Sequence, residues 1–183
     1  MNYYNKHAKE YIDNTKNVDM REYYDIFESY IDSNAKILDI GFGSGRDSLY
    51  FKNKGYNVYS IDNVKEFCDY AKSIGLDNVY CISIEDIEYN NEFDAIWACA
   101  SLLHLKSNKL VDVFNKCYKA LKDNGVMYVS FKYGDRNLKL LQEFDYAIEN
   151  DFVDKFYLGC KGGVLIWIII INTQKNILIT LKM

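Results

Sequence analysis

The sequence predicts an α/β fold with a mostly parallel sheet, and two features of the residue pattern support this. Apolar runs typical of buried strands alternate with segments of helical periodicity, which favours right-handed crossovers between parallel strands. The first apolar run, at residues 36–41, breaks into glycines at positions 41, 43 and 45 and restarts as a helix. Such a turn directs free backbone N–H groups outward at the positive end of a helix, which suits an anionic or polar nucleotide-like ligand.

The other elements of the regular part follow from periodicity and helix-end signals. Two helices are predicted before the first strand, over residues 3–14 and 20–31, and the tyrosines at 3, 4 and 11 are candidates for a lid or, more simply, for aromatic packing. Further strands are predicted over residues 56–61, 78–83, 93–100 and 126–131, and further helices over residues 45–53, 63–75 and 107–121. Asn63 and Glu66 form a predicted capping box, and residues 123–125 are predicted to end the helix before them.

The C-terminal part departs from this pattern. A helix is predicted over residues 137–148 and strands over residues 152–158, 163–171 and 176–181, the last two as a hairpin. No Asp or Glu follows Asp154, which is an unusual composition for the end of a domain.

Length, charge and cysteine usage restrict the class of protein. A chain of 183 residues favours one domain, and its net charge of −4 argues against a nucleic-acid-binding surface. The longest uncharged apolar run, Val164–Ile171, is shorter than the roughly 20 residues that a bilayer span needs, and no signal-peptide pattern is present. The five cysteines contain no CxxC pair, which predicts reduced thiols in a cytoplasmic protein without a zinc site. Cys81, Cys99 and Cys117 fall in apolar segments and are predicted to be buried.

Two ligand classes compete for the glycine turn. A nicotinamide or flavin site favours G-x-G-x-x-G, whereas the spacing here is G-x-G-x-G with Arg46 where the third glycine would stand. Asp39 at the strand tip is a buried acid that needs a partner, and the amino group of S-adenosylmethionine would supply one. Asp62, at the end of the next strand, can accept both ribose hydroxyls and would repel a 2′-phosphate.

Two pairs of motifs carry a resemblance to a known family. ILDIGFGSGRDS followed by YSIDN resembles motif I and the acidic motif of class I S-adenosylmethionine-dependent methyltransferases. FDAIWACASLLHL and VMYVSFKYGD resemble a bacterial subgroup related to tellurite-resistance-type methyltransferases. The resemblance covers residues 3–135 and implies a single Rossmann-like three-layer sandwich with a seven-stranded, mostly parallel sheet in the order 3-2-1-4-5-7-6 and an antiparallel C-terminal strand. Within it, residues 1–34 would be N-terminal lid helices, residues 35–134 the cofactor-binding core and residues 135–183 a divergent part.

The resemblance also implies a set of cofactor-binding residues at the strand ends. The methionine part would be held by Asp39, Gly41 and Gly43, and Phe42 between the two glycines belongs to the same set. Asp62 would hold the ribose, Asn63 would lie beside the adenine, and the stretch Ile84, Glu85 and Asp86 would contact the adenine ring. Ala98 would face the sulfonium. Ser83 stands where the family usually has an aspartate. Arg46 would pair with the methionyl carboxylate, the alternative being an arginine on the helix surface.

Methyl transfer is an in-line displacement in which the protein mainly aligns the acceptor and excludes water. His104 is the candidate base because imidazole titrates near neutrality, the alternative being a histidine packed at a helix end. Ser101 is a candidate for positioning the acceptor. The absence of proline excludes the Asn-Pro-Pro-aromatic and Pro-Cys motifs of base methylation, which favours a small-molecule acceptor.

Three functions therefore remain open from the sequence. The favoured one is a small-molecule methyltransferase, monomeric or homodimeric, without a metal, nucleic-acid or membrane partner. The second is a cofactor-binding protein that has lost catalysis, which the acid-free C-terminal part motivates. The third is a nicotinamide-dependent oxidoreductase.

Overall fold

The structure, a computed structural model, describes residues 3–132, 158–161, 164–171 and 177–181. The chain divides into two compact units, Met1–Ile87 and Glu88–Met183. The elements of the first unit are α1 (Tyr3–Thr15), α2 (Arg21–Glu28), β1 (Lys36–Ile40), α3 (Arg46–Asn53), β2 (Asn57–Asp62), α4 (Lys65–Ser73) and β3 (Asn78–Cys81). Those of the second are β4 (Phe93–Ala98), α5 (Ser107–Ala120), β5 (Leu121–Lys132), β6 (Leu158–Lys161), β7 (Val164–Ile171) and β8 (Ile177–Leu181).

In the first unit, β1, β2 and β3 form a parallel sheet with β2 in the middle. Asp39 on β1 lies opposite Ser60 on β2, and Asp62 opposite Cys81 on β3. Because side chains alternate along a strand, and paired residues face the same way, these four side chains share one face of the sheet. This register brings the polar groups of the candidate site together.

Helix α1 is anchored on α4 by aromatic rings. The Tyr11 ring lies 5.3 Å from the Phe67 ring and 5.3 Å from the Tyr4 ring, measured between centroids. The helix is interrupted at His7, whose φ of −119° and ψ of 18° are not helical. Tyr4 and Tyr11 therefore take part in aromatic packing, which is the simpler of the two roles that the sequence suggested for them.

In the second unit, β4 and β5 are parallel, and β7 pairs antiparallel with β5, β6 and β8. The core of this unit contains Trp97, which stacks on Tyr128 with ring centroids 3.8 Å apart. The helix predicted over residues 137–148 and most of the strand predicted over residues 152–158 lie outside the described residues.

The predicted α/β fold is confirmed: five strands, parallel within their units, alternate with helices. Two details at the helix ends differ from the prediction. Helix α5 ends at Ala120, within one residue of its predicted end, but residues 123–125 lie inside β5, which begins at Leu121 rather than at residue 126. Leu121 already pairs with Phe93, and the strand accommodates a register shift, with Asn124 at a φ of 62°. Helix α4 begins at Lys65 without a side-chain hydrogen bond from its N-cap, so the Asn63/Glu66 capping box does not form.

No helix in the described part of the chain combines the length and the hydropathy that a bilayer crossing requires.

Candidate functional site

The glycine turn joins β1 to α3 and is held against β2. The Gly41 N–H donates to the Ile61 carbonyl at 2.7 Å, so the turn begins where the strand pairing ends. Gly43 and Gly45 have φ of 55° and 71°, a backbone conformation that residues with a Cβ rarely adopt. Gly45 is also the N-cap of α3, and a Cβ there would lie 3.2 Å from Ile74 and 3.3 Å from Leu76, so the turn packs closely against the end of α4.

Asp39 lies under this turn and is 1% exposed. Its carboxylate accepts a hydrogen bond from the Ser48 hydroxyl at 2.5 Å, and that hydroxyl lies 2.7 Å from the Ser60 hydroxyl. Burial raises the pKa of Asp39 well above its ordinary value, the Asp47 carboxylate raises it further, and the Ser48 hydrogen bond opposes both. Asp39 therefore has the partner that the sequence required, and α3 supplies it; the pairing of Asp39 with a ligand amino group stays a prediction.

Asp62 connects the glycine turn to the start of α4. One carboxylate oxygen accepts the Gly43 N–H at 3.1 Å and the other accepts the Val64 N–H at 2.9 Å. Burial raises the pKa of Asp62, and the backbone N–H groups of Val64 and Gly43 oppose that rise. A carboxylate has about four lone-pair directions, so Asp62 can still accept hydroxyl groups from a ligand.

Arg46 is held by its neighbour in the sequence. Its Nε and Nη2 donate to the two oxygens of Asp47 at 2.6 and 2.9 Å, and the Arg46 side chain is 17% exposed. The Tyr24 hydroxyl donates to the same carboxylate, and burial raises the pKa of Tyr24. Arg46 is thus a half-buried ion-pair partner rather than an arginine on the helix surface.

These contacts leave the site with an excess of negative charge. Asp39, Asp47 and Asp62 are all buried, and the Asp47 and Asp62 carboxylates both raise the pKa of Asp39. Arg46 is the cation that opposes them. A cationic ligand group would lower the free energy of this cluster, whereas a pyrophosphate would raise it.

Tyr11 of α1 covers the turn. A Cβ built on Gly43 would lie 2.9 Å from Cε1 of Tyr11 and 3.4 Å from its hydroxyl oxygen. Phe42, in contrast, is 5% exposed and packs in the core with Ile12, Val64 and Phe67.

The predicted adenine-binding residues follow β2 and β3. Asn63 is exposed, directly after Asp62. The Ser83 hydroxyl accepts the Glu85 N–H at 3.2 Å and caps a short 3-10 helix, Ile84–Asp86. Ile84 is half-buried and Glu85 is exposed.

The second unit carries Ala98, Ser101 and His104. Ala98 ends β4 and is fully buried. The chain then turns at Ala100, whose φ is 50° and whose N–H donates to the Ser130 hydroxyl at 2.9 Å. The Ser101 Oγ is buried with no hydrogen-bond partner among the described residues, and His104 is exposed in a 3-10 helix, Leu102–His104.

Sequence reasoning missed the polar groups that support the site. Ser48, Ser60 and Asp47 are buried although their side chains are polar. Polar residues within segments predicted to pack on one another are the signal that could have found them. The burial predicted for Cys81 is also wrong: Cys81 is exposed at the end of β3, whereas Cys68 is buried. In the described part of the chain, no group of three or more His, Cys, Asp or Glu side chains is placed to hold a metal ion.

Comparison with known proteins places the chain in a family. Residues 38–129 match the family described as "Methyltransferase domain", and the chain belongs to that family. An uncharacterized methyltransferase of Staphylococcus carnosus is 28% identical over 173 residues, which cover 86% of this chain and 83% of that protein.

Two solved structures extend the comparison to the fold. A SAM-dependent methyltransferase from Methanosarcina mazei is 25% identical with a TM-score of 0.55, over 69% of this chain and 65% of that one. A TehB-like SAM-dependent methyltransferase from Corynebacterium glutamicum has a TM-score of 0.75 at 18% identity, over 92% of this chain and 99% of that one. The fold is therefore the Rossmann-like fold of a methyltransferase domain.

Proposed function

We propose that this protein transfers the methyl group of S-adenosylmethionine to a small-molecule acceptor by in-line displacement. The observation that carries the proposal is the buried acid cluster of Asp39, Asp47 and Asp62 beneath the glycine turn. Its negative excess complements a ligand with ammonium and sulfonium groups and opposes the pyrophosphate of a nicotinamide cofactor. Membership of the methyltransferase-domain family supports the same reading.

The ligand's parts are assigned to the residues that the sequence predicted. The methionine part would be bound by the glycine turn and its neighbours, namely Asp39, Gly41, Phe42, Gly43 and Arg46. The glycines would contact it through backbone groups, and Phe42 would hold the turn in place by packing in the core. Asp39 and Arg46 would act on it through electrostatic interactions. Asp62 would accept the ribose hydroxyls, and Asn63, Ile84 and Glu85 would border the adenine. Ala98 would face the sulfonium.

When bound, S-adenosylmethionine supplies an electrophilic methyl group, so the chain's own task is to orient the acceptor and take up a proton. We assign proton uptake to His104, which is exposed and accessible to an entering acceptor. The buried, unpartnered Ser101 hydroxyl supports a role in orienting an acceptor, because such a group is costly unless a ligand completes its hydrogen bonding.

Several finer predictions stand as proposals. The subgroup related to tellurite-resistance-type methyltransferases rests on the motifs after the fourth and fifth strands. The seven-stranded order 3-2-1-4-5-7-6 in a single domain is supported by the antiparallel pairing of β7 with β5 and β6. Cytoplasmic action as a monomer or homodimer, without nucleic acid or membrane, is supported by the net charge of −4.

Calorimetry with S-adenosylhomocysteine and NADH tests the ligand. We expect binding of S-adenosylhomocysteine, weakened about 10- to 100-fold by Asp62→Asn because charged hydrogen bonds to the ribose are lost. Asp69→Asn, which replaces an exposed acid on α4, is the matched control. Binding of NADH alone would establish the oxidoreductase alternative instead.

Turnover with labelled S-adenosylmethionine and a panel of thiol, amine and oxyanion acceptors tests catalysis. With an accepted substrate, His104→Ala should lower kcat by about 10²- to 10⁴-fold and remove the acidic limb of the pH profile, because a general base is inactive when protonated. His7→Ala is the matched control, because His7 contacts Glu10 on α1. Tight binding of S-adenosylhomocysteine with no turnover on any acceptor would favour the catalytically inactive alternative.

A further inference from the structure

Two cysteines that are thirteen positions apart in the sequence meet beside Asp62. Cys81 ends β3 and pairs with Asp62 across the parallel ladder, so its side chain faces α4. On α4, the Cys68 thiol donates to the Asp62 carbonyl at 3.5 Å, so Cys68 contacts the residue that lies opposite Cys81 in the sheet. This pair could not be predicted from the sequence, because the contact depends on strand register and helix packing.

The two thiols differ in accessibility. Cys81 is exposed, whereas Cys68 is 1% exposed in the core of the first unit. Burial raises the pKa of Cys68, and the neighbouring Cys81 raises it further. An oxidant from solution therefore reaches Cys81 first, and Cys68 is placed to react with the product.

We propose that Cys68 and Cys81 are an oxidation-sensitive thiol pair that closes into a disulfide and thereby weakens ligand binding at Asp62. A hydroperoxide ROOH oxidises the Cys81 thiol to a sulfenic acid and leaves as ROH. The Cys68 sulfur then attacks the Cys81 sulfur; the S–S bond forms, the S–O bond breaks, and the hydroxyl leaves with the Cys68 proton as water. A thiol reductant reverses the bond.

The disulfide would affect ligand binding because Cys68 and the first turn of α4 both form hydrogen bonds with Asp62. The disulfide removes the proton that Cys68 donates to the Asp62 carbonyl. It also ties α4 to β3, and the first turn of α4 presents the Val64 N–H that orients the Asp62 carboxylate. The ligand part of this inference rests on the proposed function.

Mass spectrometry after hydrogen peroxide treatment of the full chain tests the bond. Trypsin places Cys68 in peptide 66–72 and Cys81 in peptide 73–106, which also contains Cys99. In a Cys99→Ser background, a cross-link between these peptides therefore identifies the Cys68–Cys81 bond. We expect it to form, to vanish with dithiothreitol, and to be absent in Cys81→Ser and in Cys68→Ala, which keeps an apolar side chain at the buried position. Oxidation that stops at a sulfenic or sulfinic acid on Cys81 would overturn the proposal.

Calorimetry with S-adenosylhomocysteine on the reduced and oxidised protein tests the consequence. We expect the affinity to fall about tenfold on oxidation, to recover on reduction, and to be insensitive to peroxide in Cys81→Ser. An unchanged affinity in fully cross-linked protein would overturn the switch. If the reduced protein does not bind S-adenosylhomocysteine, both the proposed function and the proposed effect of the disulfide on ligand binding are wrong. The mass spectrometry still shows in that case whether Cys68 and Cys81 form a disulfide.

Discussion

Asp39 is a carboxylic acid surrounded by the sheet and α3, and its pKa in the folded protein lies well above its ordinary value of 3.8. Between these two pKa values the folded chain holds a proton that the unfolded chain has lost. The free energy of unfolding therefore falls as pH rises from 3.8 through the folded pKa. Below pH 3.8, Asp39 is protonated in both the folded and the unfolded chain, so it no longer makes the free energy of unfolding depend on pH.

Asp39→Asn keeps the shape and the acceptor for Ser48 but cannot ionise. We expect the stability of this variant relative to the native chain to increase with pH across that window, measured by urea unfolding at several pH values. Asp112→Asn, which replaces an exposed acid on α5, is the control. A stability difference independent of pH would contradict the buried, protonated Asp39.

Gly43 is constrained both by its backbone and by Tyr11. Gly43→Ala should destabilise the fold by about 1–2 kcal/mol from the positive φ alone, and further because the new Cβ would lie 2.9 Å from the Tyr11 ring. In a Tyr11→Ala background we expect the ring contribution to disappear and the backbone contribution to remain. Urea unfolding of the double-mutant cycle measures the difference.

Gly55 supplies the comparison for that cycle. Its φ is 97°, and no atom lies within 4 Å of a Cβ built there. Gly55→Ala should therefore cost the same with or without Tyr11. Equal costs of Gly43→Ala in the two backgrounds would mean that Tyr11 does not cover the turn.

At the scale of the element, the start of α4 depends on Asp62 rather than on the residues that the sequence suggested. Asp62→Ala should cost about 1–3 kcal/mol, because the Val64 N–H loses its acceptor and the buried Gly43 N–H is left unpaired. Glu66→Ala should change stability by less than about 0.5 kcal/mol, because Glu66 makes no side-chain cap. If urea unfolding gave similar losses of stability for the two variants, Glu66 would contribute to the start of α4 as the predicted capping box requires.

The elements that could be predicted are those whose signal is local. The first strand and its glycine turn were found within a residue because an apolar run meets glycines, and α5 was found from its periodicity. The start of β5 at Leu121 was missed because residues 123–125 carry a local turn signal, whereas the pairing of Leu121 with Phe93 is decided by the sheet.

The polar contacts of the site were unpredictable for the same reason. Asp39 meets Ser48 because α3 packs on β1, and Cys68 and Cys81 both lie at Asp62 because α4 packs on β2 and β3 pairs with β2 in a particular register. Residue type alone indicated that Asp39 needs a partner but not which one. The structure therefore identifies the partner of Asp39 as a hydroxyl group of the chain itself.

At the scale of the whole molecule, the question is whether the two compact units unfold together, as the predicted single domain requires. Both tryptophans, Trp97 and Trp167, belong to the second unit, and Trp97 is fully buried against Tyr128. Asp39 and Asp62 belong to the first. Tryptophan fluorescence consequently reports on one unit while the proposed cofactor contacts the other through its acidic residues.

We expect S-adenosylhomocysteine at a hundredfold excess over its Kd to stabilise the chain by about 2.7 kcal/mol, which corresponds to a rise in Tm of about 5–10 °C. If the units form one cooperative domain, tryptophan fluorescence and far-UV circular dichroism should give a single coincident transition that shifts equally by both probes. NADH at the same concentration is the control and should leave the Tm unchanged. If the circular dichroism transition shifts while the fluorescence transition does not, the chain consists of two independently unfolding domains. In that case the ligand stabilises only the unit to which it binds.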